Sequence, residues 1–370
     1  MKVICDRGAL VDVVNNVTSV VASRTPSPVL QCVKLTAADG VLALAATDLE
    51  VALRACVEAV EVESDGEVLI PADKLAQIVR NSADTTLTIE SDDHTVHIRG
   101  EDSHFTIFGY DPKEAPPGRP FDNSRLDCEL DGSTFHRLIS RTLFAAAAEH
   151  SRYAINGILF DREGRQIRMV ATDGRRLALA RGRCEASDGK ATCIIPAKAL
   201  SLLNKLARDP DTKISIALEE NQAVFRIGES EHAAVLATNL VEGTFPPFED
   251  VIPKDQDKKV TFDVEILRSA IRRAALLTNE ESKGVRMSFT GEGLTLTSRA
   301  PEMGEAEIHV DLDAYEGDPV EIGFNPGFIT DALKVIDAGE VLIELKAANK
   351  PGVLKTGSEF TYVVMPVNLA

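Results

Sequence analysis

The 370-residue chain has no tryptophan, four tyrosines and five methionines. Without aromatic platforms, recognition of single strands by base stacking is a poor fit. The six cysteines, Cys5, Cys32, Cys56, Cys128, Cys184 and Cys193, include no C-x-x-C pair. Neither a zinc site nor a disulfide framework is expected, and the thiols are expected reduced and half-buried. No apolar run approaches the length that spans a bilayer, so no membrane partner is expected. The opening MKVICDRGAL has no signal-peptide core, and the expected compartment is the cytoplasm. No phosphate-cradling glycine loop occurs, since GEGLTL (291–296) reads as a turn between strands. Positive charge is also short: 40 Lys and Arg against 58 Asp and Glu give a net −18. In bulk that argues against nucleic acid, unless acid and base are sorted onto different surfaces.

What is present is an ordinary globular composition, 44% hydrophobic and 26% charged, written as a repeat. Strand, proline, helix occurs at VLIPADKLAQIVRNS (68–82), CIIPAKALSLLNKLARD (193–209) and EIGFNPGFITDALKVIDAG (321–339). Pro71, Pro196 and Pro326 lie 125 and 130 residues apart, each where a helix begins and a missing N–H is tolerated. An earlier amphipathic helix recurs at 8–23, 131–148 and 263–279, for example with Leu267, Ile271, Ala274 and Ala275 at helical spacing. Paired strands meet around Thr47-Asp48, Thr172-Asp173 and Ser298-Arg299, 125 and 126 residues apart. Pro-rich, charged stretches at 111–125 and 245–259 read as linkers. The expected fold class is therefore α+β: three similar domains, each with two helices laid on antiparallel sheet, over 1–122, 123–252 and 253–370.

Charge sorts by element. The six expected helices and their first turns carry Arg7, Lys74, Arg80, Arg137, Arg141, Lys198, Lys205, Arg208, Arg268, Arg272, Arg273 and Lys334. Against them stand Asp12, Asp73, Asp263, Glu265, Asp331 and Asp337, several at helix starts where they complement the dipole. Net basic helices in an acidic chain suit phosphate contacts without sequence readout. Geometry bears on how many chains would be needed. Six helices packed roughly 10 Å apart in a circle leave an opening of about 10 Å, too narrow for a duplex. Twelve leave about 28 Å, so a ring around DNA needs two chains joined head to tail.

An enzyme is the first rival reading. Asp173 of Thr172-Asp173-Gly174 could be a nucleophile or ligand, but no base is placed near it and Asp-Gly is a hairpin-turn signal. The histidines form no ligand set; His94 and His97 read as opposite faces of one strand. DLDAYEGD (311–318) starts like a calcium loop, but its sixth position is Glu316 and its twelfth Ile322. No catalytic residue, metal or cofactor is expected. The second rival is a repeat-built scaffold that binds peptides and does not encircle DNA.

In order along the chain, TDLE (47–50), RYAINGILF (152–160), ATDGRRLA (171–178), LVEGTFPPFEDVIP (240–253), LLTNEESKGVR (276–286), EIGFN (321–325) and YVVMPVNL (362–369) carry a resemblance. The chain resembles the bacterial DNA polymerase III beta subunit, the DNA sliding clamp. The resemblance implies the DNA clamp fold and a homodimeric ring of six domains around duplex DNA. It also implies tethering of the DNA polymerase III alpha subunit, with the clamp loader and other replication and repair proteins as further partners. Their short Leu- and Phe-containing segments would enter a peptide pocket, lined here by Arg152, Ile155, Thr172, Gly174, Arg175, Arg176, Leu177, Pro246, Val251, Val363, Val364, Met365, Pro366 and Val367. DNA contacts would be Arg24, Lys74 and Lys198, and the dimer seam Phe105 and Ile107 against Leu276 and Leu277. Departures from the family pattern are Arg175 for a usual His, Asp250 for a frequent basic residue, Glu149 for a neutral polar one, and the ending Asn368-Leu369-Ala370.

Overall fold

The computed structural model describes residues 1–22, 24–147, 154–186, 188–278, 284–301, 303–312, 314–337 and 339–368. Six α-helices lie among them: α1 (Arg7–Thr18), α2 (Ala72–Asn81), α3 (Gly132–Leu143), α4 (Ala197–Leu206), α5 (Val264–Ala274) and α6 (Pro326–Lys334). The two kinds of helix start differ by design of the sequence. The first helix of each third begins at an aspartate closing a strand. Asp6 accepts from the Ala9 N–H at 2.8 Å, Asp131 from Thr134 at 2.6 Å, and Asp263 from Glu265 and Ile266 at 2.9 and 3.0 Å. Each such cap satisfies N–H groups that would otherwise be orphaned, an effect of about 1 kcal/mol. The second helix of each third begins at or beside its proline: Pro71 and Pro196 directly precede α2 and α4, and Pro326 is the first residue of α6. Apolar spacing then buries one face. In α5, Leu267, Ala270, Ile271 and Ala274 are buried, whereas Arg272 and Arg273 are exposed.

The chain forms two compact units. The first is Met1–His136, Cys184–Ser187 and Lys198–Leu240; the second is Arg137–Arg183, Asp188–Ala197 and Val241–Ala370. Each holds an all-antiparallel nine-stranded sheet and a smaller one. In the first unit the large sheet runs Glu185–Ala186, Leu126–Asp131, Lys213–Leu218, Gln222–Ile227, Ala234–Asn239, Val51–Val57, Val41–Thr47, Cys32–Ala38, Gly66–Pro71. The small one has five strands, from Val60–Ser64 to the edge His104–Phe108. In the second unit the large sheet runs Lys190–Pro196, Gly157–Glu163, Gln166–Thr172, Arg176–Arg183, Phe360–Val364, Gly352–Thr356, Glu340–Leu345, Lys258–Asp263, Tyr315–Glu316. Its small sheet has four strands, with Gly304–Val310 and Val320–Phe324 at the edges.

The antiparallel sheets expected under the helix pairs are not confined to single thirds of the chain. Strands from one third of the chain divide between two sheets. Neighbouring thirds are sewn into one ladder, because Val235–Thr238 pairs antiparallel with Arg54–Val51, and Arg176–Ala180 with Val364–Phe360. Edge strands that would be open in an isolated third are thereby paired. The histidine expectation also changes. His94 lies in the turn before the strand Thr95–Arg99, while His97 Nδ1 sits 3.1 Å from His104 Nε2 across the neighbouring strand.

Candidate functional site

The repeated Thr-Asp is turn chemistry. In the second unit Thr172 Oγ1 donates to the Arg176 carbonyl at 2.7 Å and accepts from the Gly174 N–H at 3.1 Å. Asp173 Oδ1 accepts from the N–H groups of Arg175 and Arg176 at 2.9 and 3.1 Å. In the first unit Thr47 Oγ1 donates to Val51 O and accepts from Leu49 N, both at 2.9 Å, and Asp48 Oδ1 accepts from Glu50 and Val51 at 3.0 and 2.7 Å. Both aspartates are occupied as caps of a hairpin turn, which removes the nucleophile reading. The turn needs a left-handed residue at its third position. Gly174 supplies it at φ 85°, but Leu49 takes it at φ 77°. A Cβ there is strained, and Leu49 is 61% exposed, so its side chain recovers little by burial. Leu49→Gly should raise unfolding free energy by about 0.5–1 kcal/mol in urea titration, the strain relief less the entropy of glycine. A drop in stability would show that the Leu49 side chain is held by packing.

Above the second-unit turn lies a cavity of about 200 Å3, lined by Ile155, Thr172, Gly174, Arg175, Arg176, Leu177, Pro246, Phe248, Val251, Val363 and Met365. Its floor continues into a cluster in which Ile155, Leu177, Phe245, Phe248 and Val363 pack together. Phe245 and Phe248 meet edge to face at 6.5 Å, and the Arg168 guanidinium lies 5.7 Å over Phe248 while bonding Asp161 and Glu249. The C-terminal segment closes one side: Met365 N–H donates to the Arg175 carbonyl at 2.9 Å, and Val367 N–H to Gly323 at 2.8 Å.

Arg176 anchors the turn to the helix behind it. Its Nε bonds Asp173 at 3.0 Å, Nη1 bonds Asp331 at 2.9 Å, and Nη2 bonds the Phe144 carbonyl at 2.7 Å. The guanidinium carbon lies 4.6 Å over the Phe328 ring. Burial alone would lower its pKa, but the Asp331 carboxylate, the neighbouring Tyr362 hydroxyl and Asp173 reverse that and hold it above the ordinary arginine value. Arg175, in contrast, is exposed and has no ion pair among the described residues. The arrangement offers an apolar, adaptable hollow with a cationic rim, and its described lining holds no nucleophile–base pair. It can hold aliphatic or aromatic side chains.

Family models for the DNA polymerase III beta subunit match the chain three times, the N-terminal domain over residues 1–117, the central domain over 129–247 and the C-terminal domain over 249–368. The beta sliding clamp of Pseudomonas putida is 34% identical, with 98% of each chain covered, and that of Vibrio cholerae 32% identical over the whole of both.

The chain belongs to the DNA polymerase III beta subunit family, the sliding clamps.

Solved relatives agree: the Bacillus subtilis sliding clamp superposes with TM-score 0.91 at 25% identity, and a Pseudomonas aeruginosa clamp bound to griselimycin with 0.90 at 32%, each covering both chains fully. The fold is the three-domain clamp fold, and the function is that of a sliding clamp, a processivity factor and not an enzyme. Nothing in these likenesses favours a scaffold that does not encircle DNA.

Within this clamp the structure sorts the expected residues. Ile155, Thr172, Gly174, Arg175, Arg176, Leu177, Pro246, Val251, Val363 and Met365 are brought to the one cavity. Val364 is not: strand alternation turns it to the opposite face of Phe360–Val364, where it is fully buried. Pro366 and Val367 lie past the lining, in the bonded tail. Arg152 and Glu149 lie outside the described residues, as do Leu369 and Ala370. Phe248 lines the cavity and was missed by sequence reasoning; the second Phe of FPPF in the linker was its one signal.

Arg24, Lys74 and Lys198 all fall in the first unit and are exposed to different degrees. Lys74 pairs with Asp73 at 3.1 Å, and Lys198 Nζ bonds Asp48, the turn-capping carboxylate. No hydrogen bond or ion pair joins the three to one another among the described residues. Two of the basic helix residues do not face outward. Arg141 is 6% exposed, 5.7 Å over Phe360 and 3.4 Å from Glu359. Arg268 folds back on Glu265 and on the Leu333 and Ile336 carbonyls, satisfying the end of α6. Of the expected seam, Phe105 is partly exposed on the edge strand His104–Phe108, but Ile107 is buried in its own core and the outward aromatic is Phe108, 78% exposed. Leu276 is 70% exposed in the turn Ala275–Leu277 that ends α5, with Leu277 half-buried beside the edge strand Gly304–Val310. No described helix is long and apolar enough to cross a membrane, and the described residues hold no cluster of metal-ligating side chains.

Proposed function

We propose that two copies of the chain, joined head to tail, close around duplex DNA without reading its sequence and hold replication proteins on it. The domains of this reading are 1–122, 123–252 and 253–370. Arg24, Lys74 and Lys198 contact phosphate. Phe105, with Phe108 beside it, meets Leu276 and Leu277 of the other copy. Short Leu- and Phe-containing segments of the polymerase alpha subunit, the clamp loader and repair proteins enter the second-unit cavity, in the cytoplasm and with no cofactor. Arg152 is assigned to partner binding by the RYAINGILF motif alone. The observation that carries the partner side of the reading is the cavity itself. Ten residues separated by as much as 210 positions, all named from motif matches, line one side-chain-sized hollow with an apolar floor. Such hollows take aromatic and aliphatic anchors as energetic centres of an interface.

The DNA side is tested by topology. The protein is loaded on nicked circular DNA with a clamp loader, and the circle is then cut. Retention on the circle and loss from the linear product are expected. Arg24→Glu should shorten retention on the circle and, where one phosphate contact is lost, reduce the salt dependence of binding by about 0.9 in log–log slope. Lys198→Glu should do so more strongly, since it also sets a second carboxylate against Asp48. Dimer mass by light scattering should be unchanged in both. Equal retention of circle and linear DNA would remove the encirclement reading, and unaltered retention in the variants would remove these contacts.

A further inference from the structure

The first unit contains a counterpart of the peptide cavity. The Thr47-Asp48-Leu49-Glu50 turn stands where Thr172-Asp173-Gly174-Arg175 stands, with the same four turn bonds. The strand Ala234–Asn239 pairs beside its hairpin as Phe360–Val364 pairs beside the other. A linker with adjacent prolines borders each: Pro116-Pro117 here, Pro246-Pro247 there. Along Pro116–Arg119 run two adjoining hollows, of about 130 and 340 Å3, which share Thr47, Ala52 and the linker itself.

Their chemistry is particular. The floor of the smaller is apolar, with Val29, Cys32, Leu53, Leu69 and Val235, and its charged lining is Lys34, Arg54 and Arg119 with no carboxylate. Lys34 is paired with Glu67 at 3.0 Å; Arg54 and Arg119 are exposed and have no ion pair among the described residues. In a chain of net charge −18, a wholly cationic lining runs against the average of the surface. The larger hollow is bordered by Leu49, an outward apolar side chain on a strained backbone, and by Glu50 where the other site has Arg175. The adjacent prolines fix φ and carry no N–H, so this wall is formed before any ligand arrives.

We infer that this groove is a second peptide-binding site, for an extended segment that combines an aliphatic or aromatic anchor with acidic side chains. The anchor enters between the apolar floor and the linker, and the carboxylates pair with Arg54 and Arg119. Leu49 and Glu50, in place of Gly174 and Arg175, make its preference differ from that of the second-unit site. The inference goes beyond the function proposed above and takes from it only the peptide class of the ligand.

The test uses the full-length dimer and a fluorescein-labelled Asp-Leu-Asp-Phe-Asp amide, followed by calorimetric stoichiometry and anisotropy. Two peptides per chain are expected. Arg54→Glu with Arg119→Glu, both exposed positions, should leave one, with the lost site at least tenfold weaker, and an all-Asn peptide should lose the same site. Truncation after Val364 should remove the other site only. If the double variant keeps wild-type stoichiometry and affinity, or if truncation alone abolishes all binding, the groove is not a peptide site. If truncation changes nothing while the double variant loses a site, the groove stands and the second-unit assignment falls.

Discussion

Truncation after Val364 should weaken binding of a Leu- and Phe-containing polymerase peptide by about 100-fold, roughly 2.7 kcal/mol, while dimer mass stays the same. The magnitude follows from what the tail does. Met365 is a lining residue, and its N–H is the bond that ties the tail to the Arg175 carbonyl. Pro366 and Val367 are not in the lining of this cavity, but the Val367 bond to Gly323 fixes the path that holds Met365 over the hollow. Without this wall an anchor seated on Val363 keeps one side in water and loses the exclusion on which a strong anchor depends. The strand itself stays, since Phe360–Val364 is paired on both sides. The edge strand His104–Phe108 and Leu276 are untouched by the cut, so association should not change. Fluorescence anisotropy with the labelled peptide measures the first part and light scattering the second. Affinity within threefold of the intact protein would sink the tail's role.

The lining was legible in the sequence to the degree that it is contiguous. ATDGRRLA carries five of the lining residues on one turn, and a turn is a local object whose chemistry Thr, Asp and Gly disclose directly. Strand positions were less legible. Within YVVMPVNL nothing local says whether Val363 or Val364 faces the hollow; pairing with Leu177 and Arg176 decides it, and those partners lie some 186 residues away. Phe248 was hidden for another reason. Linkers are read as polar spacers, yet this one delivers a ring into the core cluster under the Arg168 guanidinium. Three helices were found because proline marks their starts and three by apolar spacing, without their capping aspartates Asp6 and Asp131. Their basic residues were overread, because charge in a sequence carries no direction: Arg141 lies over the Phe360 ring, and Arg268 closes the carbonyl end of α6. The sharing of each large sheet by neighbouring thirds could not be read at all, since it rests on ladders between strands far apart in the chain.

Arg176→Ala should destabilise the protein by about 3 kcal/mol and impair peptide binding as a consequence. Its guanidinium is 11% exposed and makes three bonds, to two carboxylates and one carbonyl, besides lying over Phe328. Removing it leaves Asp173 with no cation and Asp331 with only the exposed Lys334 ammonium, 3.3 Å from its other oxygen, and such a break of a half-desolvated network costs about 3–5 kcal/mol. The low end applies because Asp331 is about a third exposed and water can reach it. Asp173 keeps its N–H bonds from Arg175 and Arg176, so the turn persists, but its link to α6 and to the Phe144 carbonyl is lost. Arg176→Lys should recover little, because one ammonium cannot bridge Asp173, Asp331 and Phe144 with the planar reach of the guanidinium. Adding Asp331→Asn to Arg176→Ala should restore part of the loss, since it removes one of the two carboxylates left around the vacated guanidinium, at the cost only of the exposed pair with Lys334. Urea titration of the four proteins measures this, and a double variant less stable than Arg176→Ala alone would show that lost packing on Phe328, and not the unpaired charge, sets the cost.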